Sequence, residues 1–165
     1  MTCARNTWST KSIFHATTDS PHKEQSMDLT ILLADAAQVS HDQKVSALGL
    51  GWTATQAPLP PHAVVVFFEI DWNETNQRVH TKIILVNADG HPVRQQTETG
   101  EQEIFAEGEM EFGRPPGLPA GTPITFPITF GIAPGIQLPS GRYEWRASVD
   151  GHEKTHWRRA FLVMS

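Results

Sequence analysis

Cysteine is almost absent from this chain. Its 165 residues include one cysteine, Cys3. A single thiol cannot form an internal disulfide, and it excludes zinc sites that are built from several thiolates. Because low cysteine use suits a reducing compartment, we expect a cytoplasmic protein.

Long apolar runs and basic clusters are missing as well. No apolar run approaches the ~20 residues of a transmembrane helix, and the opening residues MTCARNTWSTKSIFHATT lack the apolar centre of a secretory signal. The formal net charge is −5. Contacts to phosphates or to anionic lipids require clustered Lys and Arg, so we expect no nucleic-acid partner and no membrane partner.

The first 26 residues show no sustained hydrophobic period and are rich in Ser, Thr and His. We interpret residues 1–26 as a disordered tail, or as a non-native extension in front of a natural start at Met27. Residues 27–165 then form one domain of ordinary size.

From Met27 onward, apolar and polar residues alternate with the period of β-strands. In GRYEWRASVDG, the residues Tyr143, Trp145, Ala147 and Val149 are predicted to face a core, and Asp150 with Gly151 begins a hairpin turn. The predicted strands cover approximately residues 29–34, 44–55, 62–71, 77–87, 103–113, 123–132, 141–149 and 153–163.

Several of these strands carry more specific expectations. HAVVVFFEID is apolar throughout, which is typical of a central strand covered on both faces. Pro127 removes a ladder donor and therefore predicts a strand at a sheet edge, or a bulge. In KVSALGLGWTAT, Leu48, Leu50 and Trp52 are predicted to share one face of a strand. The alternating glutamates of EIFAEGEMEFG are expected to form a solvated face.

Seven or eight short strands joined by Pro- and Gly-rich turns, without a convincing helix, predict an all-β domain. The spacing favours an immunoglobulin-like β-sandwich, and a small β-barrel is the alternative.

The phrases MDLTILLADAAQVS, KVSALGLGW, GRPPGLPAGTP and LPSGRYEWRASVDG together resemble a family of small bacterial proteins of unknown function, mostly from actinobacteria. The resemblance extends from Met27 to about Val163. It implies a single β domain that begins at Met27, and it implies no activity, substrate or cofactor. The 26-residue extension departs from the family pattern.

The letters HEKTH, with His152, Glu153 and His156, match the zinc motif HExxH, which requires a helix. Here an Asp-Gly turn precedes the motif and a β pattern follows it. On a strand, the two histidines would lie about 13 Å apart. We therefore expect a turn and a strand, with no metal site, no cofactor and no catalytic residue.

The sequence favours a non-enzymatic module that binds an unidentified protein or serves as an accessory or structural subunit. A metal-dependent enzyme or a carbohydrate-binding module is the alternative. Since sandwich domains often bind through loops, Trp72 and Arg114 are the candidate binding residues. Trp145 and Trp157 are assigned to the core.

Overall fold

A computed structural model describes residues 27–165, so the interpretation of residues 1–26 lies outside the described residues. The described chain is all-β apart from a short 3-10 helix, Trp72–Glu74. Within it, no helix is long and apolar enough to cross a bilayer. The strands are β1 (Asp28–Ala34), β2 (Ala36–Val39), β3 (Val45–Leu48), β4 (Ala54–Gln56), β5 (His62–Ile70), β6 (Arg78–Asn87), β7 (Arg94–Thr97), β8 (Gly100–Glu103), β9 (Phe105–Glu111), β10 (Ile124–Ile132), β11 (Gly141–Val149) and β12 (Arg158–Met164).

Two larger sheets contain eight of these strands. The first has the order β1-β5-β10 and is antiparallel throughout. The second has the order β4-β12-β11-β6-β9, in which β4 runs parallel to β12 and the other pairs are antiparallel. β2 with β3, and β7 with β8, form two separate hairpins.

Inward-facing side chains from both larger sheets join in one hydrophobic core. The alternation predicted for β11 is confirmed, because its four inward residues are all buried. Trp145 and Trp157 are fully buried, as predicted. Phe130 of β10 packs edge-to-face on Trp145, with the ring centroids 5.7 Å apart, and so links the two sheets directly.

The expectations for the central and edge strands are also confirmed. β5 lies between β1 and β10, and buried residues such as Val64 and Val65 point to opposite faces of it. β10, which contains Pro127, is at the edge of its sheet. An edge position tolerates proline because the missing N–H need not complete a second ladder.

The single strand predicted over residues 44–55 is wrong. The chain forms β3, turns at residues 49–51 and resumes as the short β4. The turn arises at Gly49 and Gly51, whose φ angles of +59° and +93° lie outside the strand region. The predicted shared face is therefore also wrong: Leu48 and Leu50 are exposed, and half-buried Trp52 packs on His62 and Phe161.

The predicted number of strands was too low, since the described residues form twelve. The hairpin of β7 and β8 was missed because it is polar on both faces, so no hydrophobic period marks it. Its turn consists of Glu98 and Thr99, and Gly100, at a φ of +115°, follows as the first residue of β8. The exposed glutamates of β9 are confirmed as a solvated face, while Glu103 ends β8 instead.

Candidate functional site

The HEKTH segment forms turns and not a helix, as predicted, but the strand predicted to begin at residue 153 begins only at Arg158. A second turn, in which the Trp157 amide donates to the Lys154 carbonyl at 3.0 Å, delays it. Asp150 and Gly151 both have positive φ, and Val149 and His152 exchange backbone hydrogen bonds of 2.9 Å across them. β12 then begins at Arg158. Two of the motif side chains contact other residues of the chain. The His156 imidazole contacts the Asp28 carboxylate, and Glu153 lies 3.9 Å from the Arg158 guanidinium. Among residues 27–165, no group of three or more His, Cys, Asp or Glu is placed to hold a metal ion.

Asp28 instead connects the first strand to the last. Its Oδ1 accepts hydrogen bonds from the Trp157 indole at 2.7 Å, from the Leu29 amide at 2.8 Å and from His156. Partial burial raises the pKa of this carboxyl, but the hydrogen bonds from Trp157 and His156 outweigh that effect, so the pKa lies below its usual 3.8. The ionised form of Asp28 is thus favoured by folding.

Acid is expected to remove this contribution. Because the pKa of Asp28 is lower in the folded than in the unfolded protein, its stabilisation is complete above pH 3.8 and is lost as the pH falls through the folded-state value. We expect the free energy of unfolding of Asp28→Asn to lie below that of the wild type near neutral pH, and the two to converge in acid. Urea denaturation at a series of pH values measures the gap. The exposed control Glu109→Gln should leave the pH dependence of stability as it is in the wild type. If the difference in unfolding free energy between the wild type and Asp28→Asn stayed constant into acid, the stabilising role of ionised Asp28 would be contradicted.

The structure brings the predicted binding residues Trp72 and Arg114 together. The Arg114 guanidinium lies over the Trp72 ring, 4.4 Å from its centroid, and Nη2 donates to the Trp72 carbonyl at 2.9 Å. Arg114 Nε also donates to the Thr75 hydroxyl at 2.5 Å. Since these contacts use Arg114 donors and cover one face of the indole, they fix the 3-10 helix to the loop after β9. A binding role for the pair stays a prediction.

A second feature is the leucine turn, which we define as residues 48–51. Leu48 is 72% exposed and Leu50 is 51% exposed. The turn is attached to β1 by hydrogen bonds from the Gly51 amide to the Leu33 carbonyl, at 2.6 Å, and from the Asp35 amide to the Leu48 carbonyl, at 2.9 Å. The two leucines are therefore displayed on a fixed backbone.

Gly49 is required for the shape of this turn. A Cβ at this position would lie 2.0 Å from Asp35 Oδ2 and 2.5 Å from Asp35 Cγ, and its φ of +59° disfavours other residues. Beside the turn, the hairpin of β2 and β3 forms an open depression of about 250 Å³ without a charged side chain. Its lining residues are Ala36, Ala37, Gln38, Ser46, Ala47 and Leu48.

A third feature is the arginine pocket, on the outer face of the five-stranded sheet. Arg142, Arg146 and Arg158 line a polar cavity of about 240 Å³, together with Glu144, Tyr143 and the turn that begins at Asn87. β6, β11 and β12 position these side chains through their ladder register.

The sequence did not identify either surface. Leu48 and Leu50 were assigned to a strand face, although two glycines in GLG are a usable signal for a turn. Alternation places Arg142 and Arg146 opposite the inward residues of their strand, but it does not say which strands are neighbours.

The described residues thus define an all-β protein whose candidate sites are an exposed apolar turn and a cationic pocket. The sequence matches the family described as "Family of unknown function (DUF6941)" over residues 29–159, and the chain belongs to this family. A search of curated proteins gave no match.

Proposed function

We propose that this protein is a cytoplasmic, non-enzymatic module with an immunoglobulin-like β-sandwich fold, and that it binds another protein through the leucine turn. The family match carries no activity to this chain. The proposal is supported by the strand order and by the surface chemistry of the turn.

The strand order supports the immunoglobulin-like assignment. β1, β5 and β10 correspond to strands A, B and E, while β12, β11, β6 and β9 correspond to G, F, C and C′, with β4 pairing in parallel with β12 as an A′ strand does. The Tyr143 hydroxyl donates to the Pro139 carbonyl, four residues upstream, at 2.9 Å. A hydrogen bond of this kind from a tyrosine near the start of strand F is typical of Greek-key sandwiches, and it supports the assignment. A barrel is disfavoured because β9 and β10 end separate sheets.

The exposure of Leu48 is the single observation on which the binding proposal rests. At 72% exposure it is the most exposed of the large hydrophobic residues in the described part of the chain. Two adjacent exposed leucines beside an uncharged depression form a contiguous apolar surface, and such surfaces mark interaction sites. Because the glycine geometry already fixes the turn, binding loses little conformational entropy there.

The shape of the turn favours a partner protein with an apolar groove over a second copy of this chain. A stable interface buries about 800 Å² on each side. In a symmetric dimer, the leucine turn would pack against the same turn of a second copy. Two leucines flanked by alanines would then bury much less surface area than a stable interface requires. A groove that encloses the turn contacts both leucines and the depression together.

Photo-crosslinking from position 50, in cells that make the protein, identifies the partner, and titration of the purified partner then gives the Kd. Burying a leucine stabilises a complex by about 1.5–3 kcal/mol. We therefore expect Leu48→Ser to weaken binding about 10- to 100-fold.

Leu162→Ser provides the matched control, since Leu162 is 47% exposed on the outer face of the five-stranded sheet. This variant should bind within about twofold of the wild type, given that surface changes outside the contact are near neutral. Equal losses for both variants, no adduct from position 50, or an adduct only with a second copy of the chain would each refute the proposal.

A further inference from the structure

The arginine pocket suggests a binding activity that is independent of the leucine turn. Arg146 and Arg158 are directly opposite one another in the ladder between β11 and β12, and Arg142 lies on the same face, next to Leu162. Arg142 and Arg146 are four residues apart on β11, about 13 Å along the strand with Glu144 between them. Their long side chains nevertheless line one cavity together with Arg158.

Their charges are only partly compensated. Glu144, the one acidic residue in the lining, contacts the Arg146 guanidinium and lies 3.7 Å from Arg158 Nη1. The Arg142 guanidinium makes no ion pair or hydrogen bond to any residue within 27–165. Glu153, outside the lining, also lies 3.9 Å from Arg158 Nη2. The three arginines therefore face two carboxylates and keep one positive charge in excess, in a protein whose net charge is −5.

The wall of the pocket is preorganised. The Asn87 side chain accepts hydrogen bonds from the amides of Asp89, at 3.0 Å, and His91, at 2.9 Å, which closes the turn after β6. Gly90 lies against Arg146: a Cβ there would be 3.3 Å from Nη1, and the φ of +80° also favours glycine. Arg146 is thereby held between this turn and Glu144, with its side chain 24% exposed.

We propose that the arginine pocket binds a carboxylate group. The planar fork of a guanidinium matches a carboxylate with two parallel hydrogen bonds, and Arg142 is free to provide that fork. The Glu144 carboxylate at the same cavity repels a dianion more than a monoanion, which disfavours phosphate. A cavity of about 240 Å³ is small for a drug-sized ligand but accommodates a carboxylate head group.

Isothermal titration of the full chain with acetate, with a peptide that carries one acidic side chain and a blocked C-terminus, and with inorganic phosphate tests the proposal. Acetate represents a small-molecule source of the carboxylate and the peptide represents a protein segment, and each probe presents a single carboxylate. We expect heat from at least one carboxylate probe, and binding that weakens as salt is added, since the contact is ionic. Stronger acetate binding indicates a small-molecule ligand, and stronger peptide binding indicates a protein segment; either result supports the carboxylate class. No heat from either carboxylate probe, or tighter binding of phosphate, would overturn it.

Arg142→Gln removes the unpaired guanidinium from an exposed position, so the fold should be retained, as a thermal melt by circular dichroism can verify. We expect it to weaken carboxylate binding at least tenfold, the effect of about 1.4 kcal/mol. Arg78→Gln is the matched control, because Arg78 is exposed on the same sheet face but pairs with Glu111 at 3.5 Å. Equal weakening by the two variants would mean that binding follows general charge, and the pocket assignment would be wrong.

Discussion

Trp145→Ala is expected to lower the free energy of unfolding by about 3–5 kcal/mol, the cost of replacing a buried aromatic residue by alanine. Trp145 is fully buried at the centre of β11, where Phe130 of the other sheet packs on it. The substitution leaves a cavity between the two sheets, which can close only if both move. Domains of this size are stabilised by about 5–15 kcal/mol, so the loss is a large fraction of the total. Urea denaturation followed by far-ultraviolet circular dichroism measures it.

Trp145→Phe is the matched variant, and its cost should be much smaller, about 1–2 kcal/mol. The indole Nε1 of Trp145 is buried and has no hydrogen-bond partner in the part of the chain that the structure describes. Phenylalanine removes this unsatisfied donor and keeps an aromatic ring against Phe130, so part of the lost packing is offset. Comparable losses for Ala and Phe would show that the stability depends on the indole itself rather than on filling the space between the sheets.

The burial of Trp145 was predictable from the sequence for a simple reason. Alternation with period two assigns each residue of a strand to one face, and β11 keeps that period through all of its inward positions. The central position of β5 was predicted from its unbroken apolar run, and the edge position of β10 from Pro127. These properties depend on residues that are neighbours in the chain.

The leucine turn shows where the alternation rule fails. Leu48, Gly49, Leu50, Gly51 and Trp52 alternate as regularly as a strand does, and the prediction followed that pattern. Glycine, however, adopts positive φ at little cost, and two such residues turn the chain within three positions. Hydrophobic alternation that includes glycine on every polar position is therefore as compatible with an exposed turn as with a buried strand.

The arginine pocket was not predictable because it depends on contacts between remote segments. Arg146 and Arg158 converge through the register of β11 and β12, while the wall comes from the turn that follows β6. A one-residue change of register would move Arg158 to the opposite face of the sheet. Nothing in the local sequence of these strands determines that register.

The hydrogen bond of Trp157 is equally remote, and it leads to a contrast between the two buried tryptophans. Trp157 Nε1 donates to Asp28, 129 residues away, at 2.7 Å, whereas Trp145 Nε1 has no partner among residues 27–165. Both indoles are fully buried. Phenylalanine at either position loses a similar volume, so the difference between the two variants reports the loss of the Trp157 hydrogen bond together with the removal of the unsatisfied Trp145 donor.

Trp157→Phe is expected to lower the free energy of unfolding by about 1–2 kcal/mol more than Trp145→Phe does. Trp157→Ala should lower it by at least the 3–5 kcal/mol, roughly, that replacing a buried aromatic residue by alanine costs. For Trp157→Phe, this additional loss of unfolding free energy lies at the low end of the range for a hydrogen bond to a charged group. The reason is that Asp28 is half-exposed and keeps its hydrogen bonds to Leu29 and His156. A double-mutant cycle with Asp28→Asn isolates the pair: its coupling energy should be near 1 kcal/mol above pH 3.8 and fall in acid, where the Asp28 carboxylate is protonated. Equal costs for the two Phe variants, together with a coupling energy of zero, would show that the bond between β1 and the segment before β12 does not stabilise the domain.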